Sequence, residues 1–161
     1  MSDALRRRVT VEADAGRAFD VFTKGFDSWW PRTRHIGKSP IKRAIIEGRV
    51  NGRRYTEQED GTDCDWATVL VWDPPTGLVL AWQITHEWGY EPDLARASEV
   101  EIRFTALRDG STRVDLEHRY FERHGEGGPV LRKAVGSPGG WNDLLAMFAA
   151  KPNATERGVE S

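Results

Sequence analysis

A chain of 161 residues, 39% apolar and 30% charged, has the length and balance of one soluble domain rather than a disordered or membrane-embedded chain. The net charge of −2 gives no electrostatic reason to expect nucleic acid or anionic lipid as partner. The only cysteine, Cys64, excludes an internal disulfide and a cysteine-built metal cluster, and with no apolar leader or membrane-length apolar run it points to the cytoplasm.

The basic run Leu5-Arg6-Arg7-Arg8 leads into Val9-Thr10-Val11, a first strand with a solvated edge. Asp14 can cap a helix carrying Ala18, Phe19 and Phe22 at helical spacing, and Gly25 ends it. Phe26 to Trp30 reads as one more helical turn stopped by Pro31, followed by a polar loop through Lys42. The period then becomes two. Ala44-Ile45-Ile46-Glu47 and Arg53-Arg54-Tyr55-Thr56-Glu57 are short strands around Asn51-Gly52, a dipeptide that tolerates positive φ. Trp66 to Trp72 and Leu78 to Ile84 are central strands joined by Asp73-Pro74-Pro75-Thr76-Gly77.

After a loop with Trp88, Gly89, Tyr90 and Pro92, two strands alternate cleanly. Val100, Ile102 and Phe104 oppose Glu99, Glu101 and Arg103; Val114, Leu116, His118 and Tyr120 oppose Asp115, Glu117 and Arg119. Such a one-sided sheet needs a cover. Ser137 as cap, Pro138 at the first helical position, and Trp141, Leu144, Leu145 and Phe148 at i, i+3, i+4 and i+7 supply a helix for it. Burying those four side chains contributes roughly 1.5–3 kcal/mol each. One domain is expected over 1–151, with a flexible tail over 152–161, where the sequon Asn153-Ala154-Thr155 is read as chance.

The order strand, helix, short helix, six antiparallel strands, long helix resembles the START-like or SRPBCC superfamily, an α+β helix-grip fold with an internal cavity. Ile46 to Arg53, the Asp73-Pro74-Pro75 turn, Leu78 to Trp82, Leu116-Glu117-His118-Arg119, and Gly140-Trp141 with Leu145 and Phe148 resemble its bacterial branch homologous to the activator of the heat-shock protein 90 ATPase. The resemblance runs from Val9 to Ala150, and departs from the branch where Asn51 and Arg54 replace an expected glycine and aromatic. It implies a binder of lipids, sterols, polyketides or other hydrophobic molecules, a polyketide cyclase or dehydratase, or a chaperone-interacting module of the stress response. The chain opens at the first strand, without the extra N-terminal domain of the eukaryotic co-chaperone, which weakens transfer of the chaperone role.

Seven tryptophans are more than folding a domain of this size requires, and indoles can either pack a core or wall a pocket. The expected function is binding of a small hydrophobic or aromatic molecule, with Trp29, Trp30, Trp66, Trp82, Trp88, His118, Tyr120, Trp141, Leu145 and Phe148 as ligand-binding candidates. His118 shares a face with Leu116 and reads either as a satisfied core histidine or as a polar anchor and acid–base group helped by Tyr120 or Glu57. No other catalytic residue is assigned. Glu47, Arg49 and Glu57 read as a surface or rim ion pair or as a charge inside the sheet. Asp63 and Asp65 flank Cys64 and disfavour its thiolate, so nucleophilic catalysis there is not expected. Gly125 to Pro129 lacks the lysine of a phosphate loop, no serine triad is visible, and His35, His86, His118 and His124 lack metal-ligand spacing, so neither metal nor cofactor is expected. Charges on the outer strand face, at Glu99, Glu101, Arg103, Asp115, Glu117 and Arg119, are a solvated face or a surface for a chaperone.

Overall fold

The computed structural model describes residues 4–31 and 39–160, with 152–160 as backbone alone; His35 and most of the polar loop lie outside the described residues. Seven strands form one antiparallel sheet: β1 (Leu5–Val11), β2 (Ile41–Ile46), β3 (Arg53–Gln58), β4 (Asp63–Asp73), β5 (Gly77–Trp82), β6 (Ser98–Ala106) and β7 (Thr112–Arg119). Their order is β1-β7-β6-β5-β4-β3-β2, so every strand from β2 to β6 neighbours its sequence successor while β1 crosses to pair with β7. Helices α1 (Ala15–Phe22) and α2 (Phe26–Trp29) connect the two edge strands, and α3 (Gly128–Val135) and α4 (Asp143–Glu160) close the chain. This is the α+β helix-grip architecture expected from the sequence.

Asp14 caps α1 as its position suggests, accepting from the Arg17 amide at 2.8 Å. The alternation of β6 and β7 holds: Ser98, Val100, Ile102 and Phe104 are buried against Thr112, Val114, Leu116 and His118. Gly77 lets β5 close on β6, since a Cβ there would stand 2.6 Å from the Ile102 carbonyl oxygen. Trp141, Leu144, Leu145 and Phe148 are all buried, and Phe148 packs edge-on against Phe22 and Trp29 at 5.0 and 5.6 Å. The last helix thus docks on the sheet through the face that sequence periodicity marks.

Two details differ from expectation. The helix does not run from Ser137: Gly140 breaks it at ψ −127°, Ser137 Oγ turns back to the Ala134 carbonyl at 2.7 Å, and α4 proper begins at Asp143. The link from β2 to β3 is longer than a two-residue turn, because Asn51, at φ 67°, donates its amide to the Val69 carbonyl and folds the link onto β4.

Candidate functional site

Strand β3 places Arg54, Thr56 and Gln58 on its buried face. Thr56 Oγ1 donates to Gln58 Oε1 at 2.6 Å, Gln58 Nε2 donates to the Ser39 carbonyl at 2.5 Å, and Trp66 Nε1 reaches Thr56 Oγ1 at 3.4 Å. Arg54 is treated differently. It is 2% exposed, yet its Nη1 has no hydrogen-bond partner. Its guanidinium carbon lies 4.1 Å from the ring centroid of Trp30, 4.5 Å from Trp66, 4.6 Å from Phe26 and 5.5 Å from Trp82. Desolvating a cation costs several kcal/mol, and a desolvated cation–π contact returns about 2 kcal/mol. The rings therefore offset part of that cost without supplying a counter-charge, and burial alone drives the guanidinium well below its usual basicity.

The cage belongs to a longer aromatic wall. Ring centroids follow one another from Trp29 to Trp30 (5.9 Å), Trp66 (5.5 Å), Trp82 (6.0 Å) and Trp141 (5.5 Å). Each contact is tilted or edge-on, the arrangement that aromatic quadrupoles favour. Trp29 donates to the Val21 carbonyl at 3.2 Å, but the Trp82 indole N–H, beside Arg54, is buried without an acceptor.

His118 terminates the wall and is fully buried. Trp141 Nε1 can only donate, so its 3.2 Å contact makes His118 Nδ1 the acceptor and puts the ring proton on Nε2. Nε2 then donates to Ser98 Oγ at 2.8 Å, and the Ser98 hydroxyl is free to donate to His124 Nε2 at 2.7 Å. The Ser98 amide reaches the same His124 nitrogen at 3.2 Å. Burial, reinforced by His124, holds His118 well below the usual imidazole range, and burial also lowers His124. Both ring nitrogens of His118 are engaged, the arrangement of a satisfied core histidine.

The structure brings together Trp29, Trp30, Trp66, Trp82, His118, Trp141, Leu145 and Phe148 in one buried cluster. Two expected wall residues stand outside it. Tyr120 is 41% exposed because it leaves β7 at φ 65°, which ends the alternation and turns its ring toward Arg123. Trp88, also left-handed at φ 63°, sits on a turn and is 48% exposed. Glu57 pairs with Arg43 at 2.5 Å on the face of β3 opposite Thr56, and Glu47 Oε1 holds the Arg53 amide and Arg49 at the rim. Burial and then Asp60, Asp63 and Asp65 raise the Cys64 thiol above its usual range. The outer charges pair with one another: Arg119 meets Glu101, Glu99 and Glu117 at 2.6, 3.0 and 3.1 Å, and Asp115 takes Arg8 and Arg113. Arg54 and Ser98, both buried, and the partly buried His124 are polar residues of this cluster that do not stand out in the sequence. For Arg54 the signal was present, as a cation where the family resemblance expects an aromatic.

Residues 12–151 match the family model described as Activator of Hsp90 ATPase homolog 1-like protein. The chain belongs to this family. Among solved structures, the chain is similar to an anthrahydroquino-gama-pyrone synthase solved as a complex, at 37% identity and a TM-score of 0.66, covering 92% of this chain and 96% of that one. It is also similar to the self-sacrificing resistance protein CalC of Micromonospora echinospora, at 29% identity and a TM-score of 0.66, covering 94% and 95%. A structure from Nitrosomonas europaea, 14% identical with a TM-score of 0.65 over 94% and 95% of the chains, shares the fold. No curated protein matches the chain. Among the described residues no His, Cys, Asp and Glu side chains group as a metal set, and no described helix is long and apolar enough to cross a membrane.

Proposed function

We propose that this protein binds a small aromatic molecule against the indole wall that runs from Trp29 to Trp141. The observation that supports this reading is the pair of donors, Arg54 Nη1 and Trp82 Nε1, that are buried within the aromatic cluster without acceptors. An aromatic core made for packing alone pairs or excludes such atoms, because a buried unpaired donor costs about 1–3 kcal/mol. A molecule burying about 300 Å² of apolar surface gains roughly 7 kcal/mol against an association cost of about 4–15 kcal/mol, so a polar anchor is required. The unpartnered donors suit that role better than His118, whose nitrogens are engaged. Similarity to a synthase named for an anthrahydroquinone-fused pyrone agrees with a polycyclic aromatic ligand.

Turnover is a second reading, favoured by the 37% identity to that synthase. Here the ligand is cyclised by proton transfer, and His118 would have to release Trp141 or Ser98 to take part. Native mass spectrometry of the protein purified from its own host, with tryptophan quenching by polycyclic phenols, tests the binding reading. A co-purified aromatic mass or saturable quenching is the expected result; the absence of both removes the proposal.

A further inference from the structure

We infer that Arg54 and Trp82 form an oxyanion-recognition site, so that the molecule taken against the indole wall carries a carboxylate or an ionised phenol or enol oxygen. The inference rests on the aromatic-binding reading above and adds the charge of the ligand. Arginines on the outside of the sheet have their carboxylates: Arg6 has Glu117, Arg8 has Asp115, Arg43 has Glu57, Arg53 has Asp65, and Arg119 has three glutamates. Arg54, the arginine most in need of an anion because it is withdrawn from water, is given no carboxylate among the described residues.

Its strand neighbours do not serve it. Thr56 and Gln58 satisfy one another and Ser39, with Gln58 Oε1 taken by the Thr56 hydroxyl. What surrounds the guanidinium instead is four aromatic rings, which interact with its charge but accept no in-plane N–H bond. A planar guanidinium recognises an oxyanion along its N–H edge, so aromatic contact and anion contact are compatible on the same residue. Nη1 offers an unfilled donor, and the Trp82 indole N–H offers a second one from a ring of the same cage. An aromatic acid or ionised polyphenol meets both requirements, with ring surface for the indoles and an oxyanion for the donors. For a ligand being cyclised, the same donors would stabilise negative charge accumulating on an enol or phenol oxygen.

A matched pair of probes separates ring recognition from charge recognition: anthraquinone-2-carboxylate and anthraquinone-2-carboxamide, titrated by tryptophan quenching against wild type, Arg54→Met and Arg54→Lys. Wild type is expected to bind the carboxylate at least about tenfold more tightly than the carboxamide, the difference a charge-assisted hydrogen bond makes. Arg54→Met is expected to erase that preference while still binding the carboxamide, and Arg54→Lys to keep part of it. Equal wild-type affinity for the two probes overturns the oxyanion site and leaves aromatic binding standing; no binding of either overturns both. Circular dichroism verifies the fold of each variant, and should Arg54→Met not fold, the wild-type preference and the Arg54→Lys titration decide alone.

Discussion

The indole N–H of Trp141 donates to Nδ1 of His118 across 3.2 Å, and that single contact sets the order of donors through Ser98 to His124. A residue just ahead of the last helix thereby fixes the tautomer of a residue on the second edge-most strand.

Removing the imidazole should therefore act first on stability. His118→Ala leaves the Trp141 donor buried without an acceptor and opens a cavity beside Phe121, whose ring centroid lies 4.2 Å away. The expected loss is about 2–4 kcal/mol, seen as a lower urea midpoint at unchanged slope. An unaltered midpoint would show that the network is dispensable.

The same burial sets a pH dependence. His118 is held well below its ordinary imidazole range in the folded protein. Above about pH 6.5 neither folded nor unfolded chain protonates it, and the neutral buried ring is tolerated fully. Below that value the unfolded chain binds a proton that the folded chain refuses, so stability falls with pH, by up to about 1.4 kcal/mol per unit for this group. Urea midpoints between about pH 5 and 7.5 check this, and His118→Gln should flatten part of the slope. Partial burial alone would raise the Asp115 and Glu117 carboxyls, but arginine hydrogen bonds and charge outweigh it and depress both, which adds a separate loss at lower pH, below the ordinary carboxylate range.

On the outer face, Arg119 holds Glu99, Glu101 and Glu117 together, with Arg123 adding a bond to Glu99 at 3.1 Å. Arg119→Met leaves three neighbouring carboxylates without their shared cation, an expected loss of about 1–2 kcal/mol given that single exposed pairs give about 0.2–1. Part of that loss should return in 1 M salt, where repulsion is screened within about 3 Å. A thermal melt with and without salt measures both.

Gly140 is the covalent constraint behind the position of Trp141. A Cβ there would stand 2.2 Å from the Val135 carbonyl oxygen, a backbone atom that cannot rotate away. Gly140→Ala is expected to destabilise by more than about 2 kcal/mol and to perturb the near-ultraviolet signal of the tryptophans. A variant with wild-type melting would show that the turn can be rebuilt.

The architecture was readable wherever one face of an element is apolar and the other charged. Val100, Ile102 and Phe104 against Glu99, Glu101 and Arg103 leave no choice of register, and Trp141 to Phe148 leaves little choice of helix face. Arg54 escaped because Arg53-Arg54-Tyr55-Thr56-Glu57 is polar on both faces, so alternation cannot say which side is buried. Tyr120 was placed inside by continuing the alternation of β7 one residue too far, past a left-handed φ that has no signature in a tyrosine. Ser98 and His124 meet because the loop after β7 folds back on the start of β6, a tertiary return that local pattern does not encode.

The placement of β1 carries a consequence for biosynthesis. Among the described residues its strand partner is β7 alone, and the bond from Arg6 to Glu117 joins positions 111 residues apart. Within this sheet β1 is thus made well before the strand it pairs with, while β2 to β7 can pair with sequence neighbours as they emerge. Until then Leu5 and Val11, both buried in the finished sheet, stay uncovered on an unpaired segment. The triple arginine of Arg6-Arg7-Arg8 interrupts that segment with charge, a pattern that disfavours edge-to-edge association of an unpaired strand, and in the finished sheet Arg6 and Arg8 pair with Glu117 and Asp115.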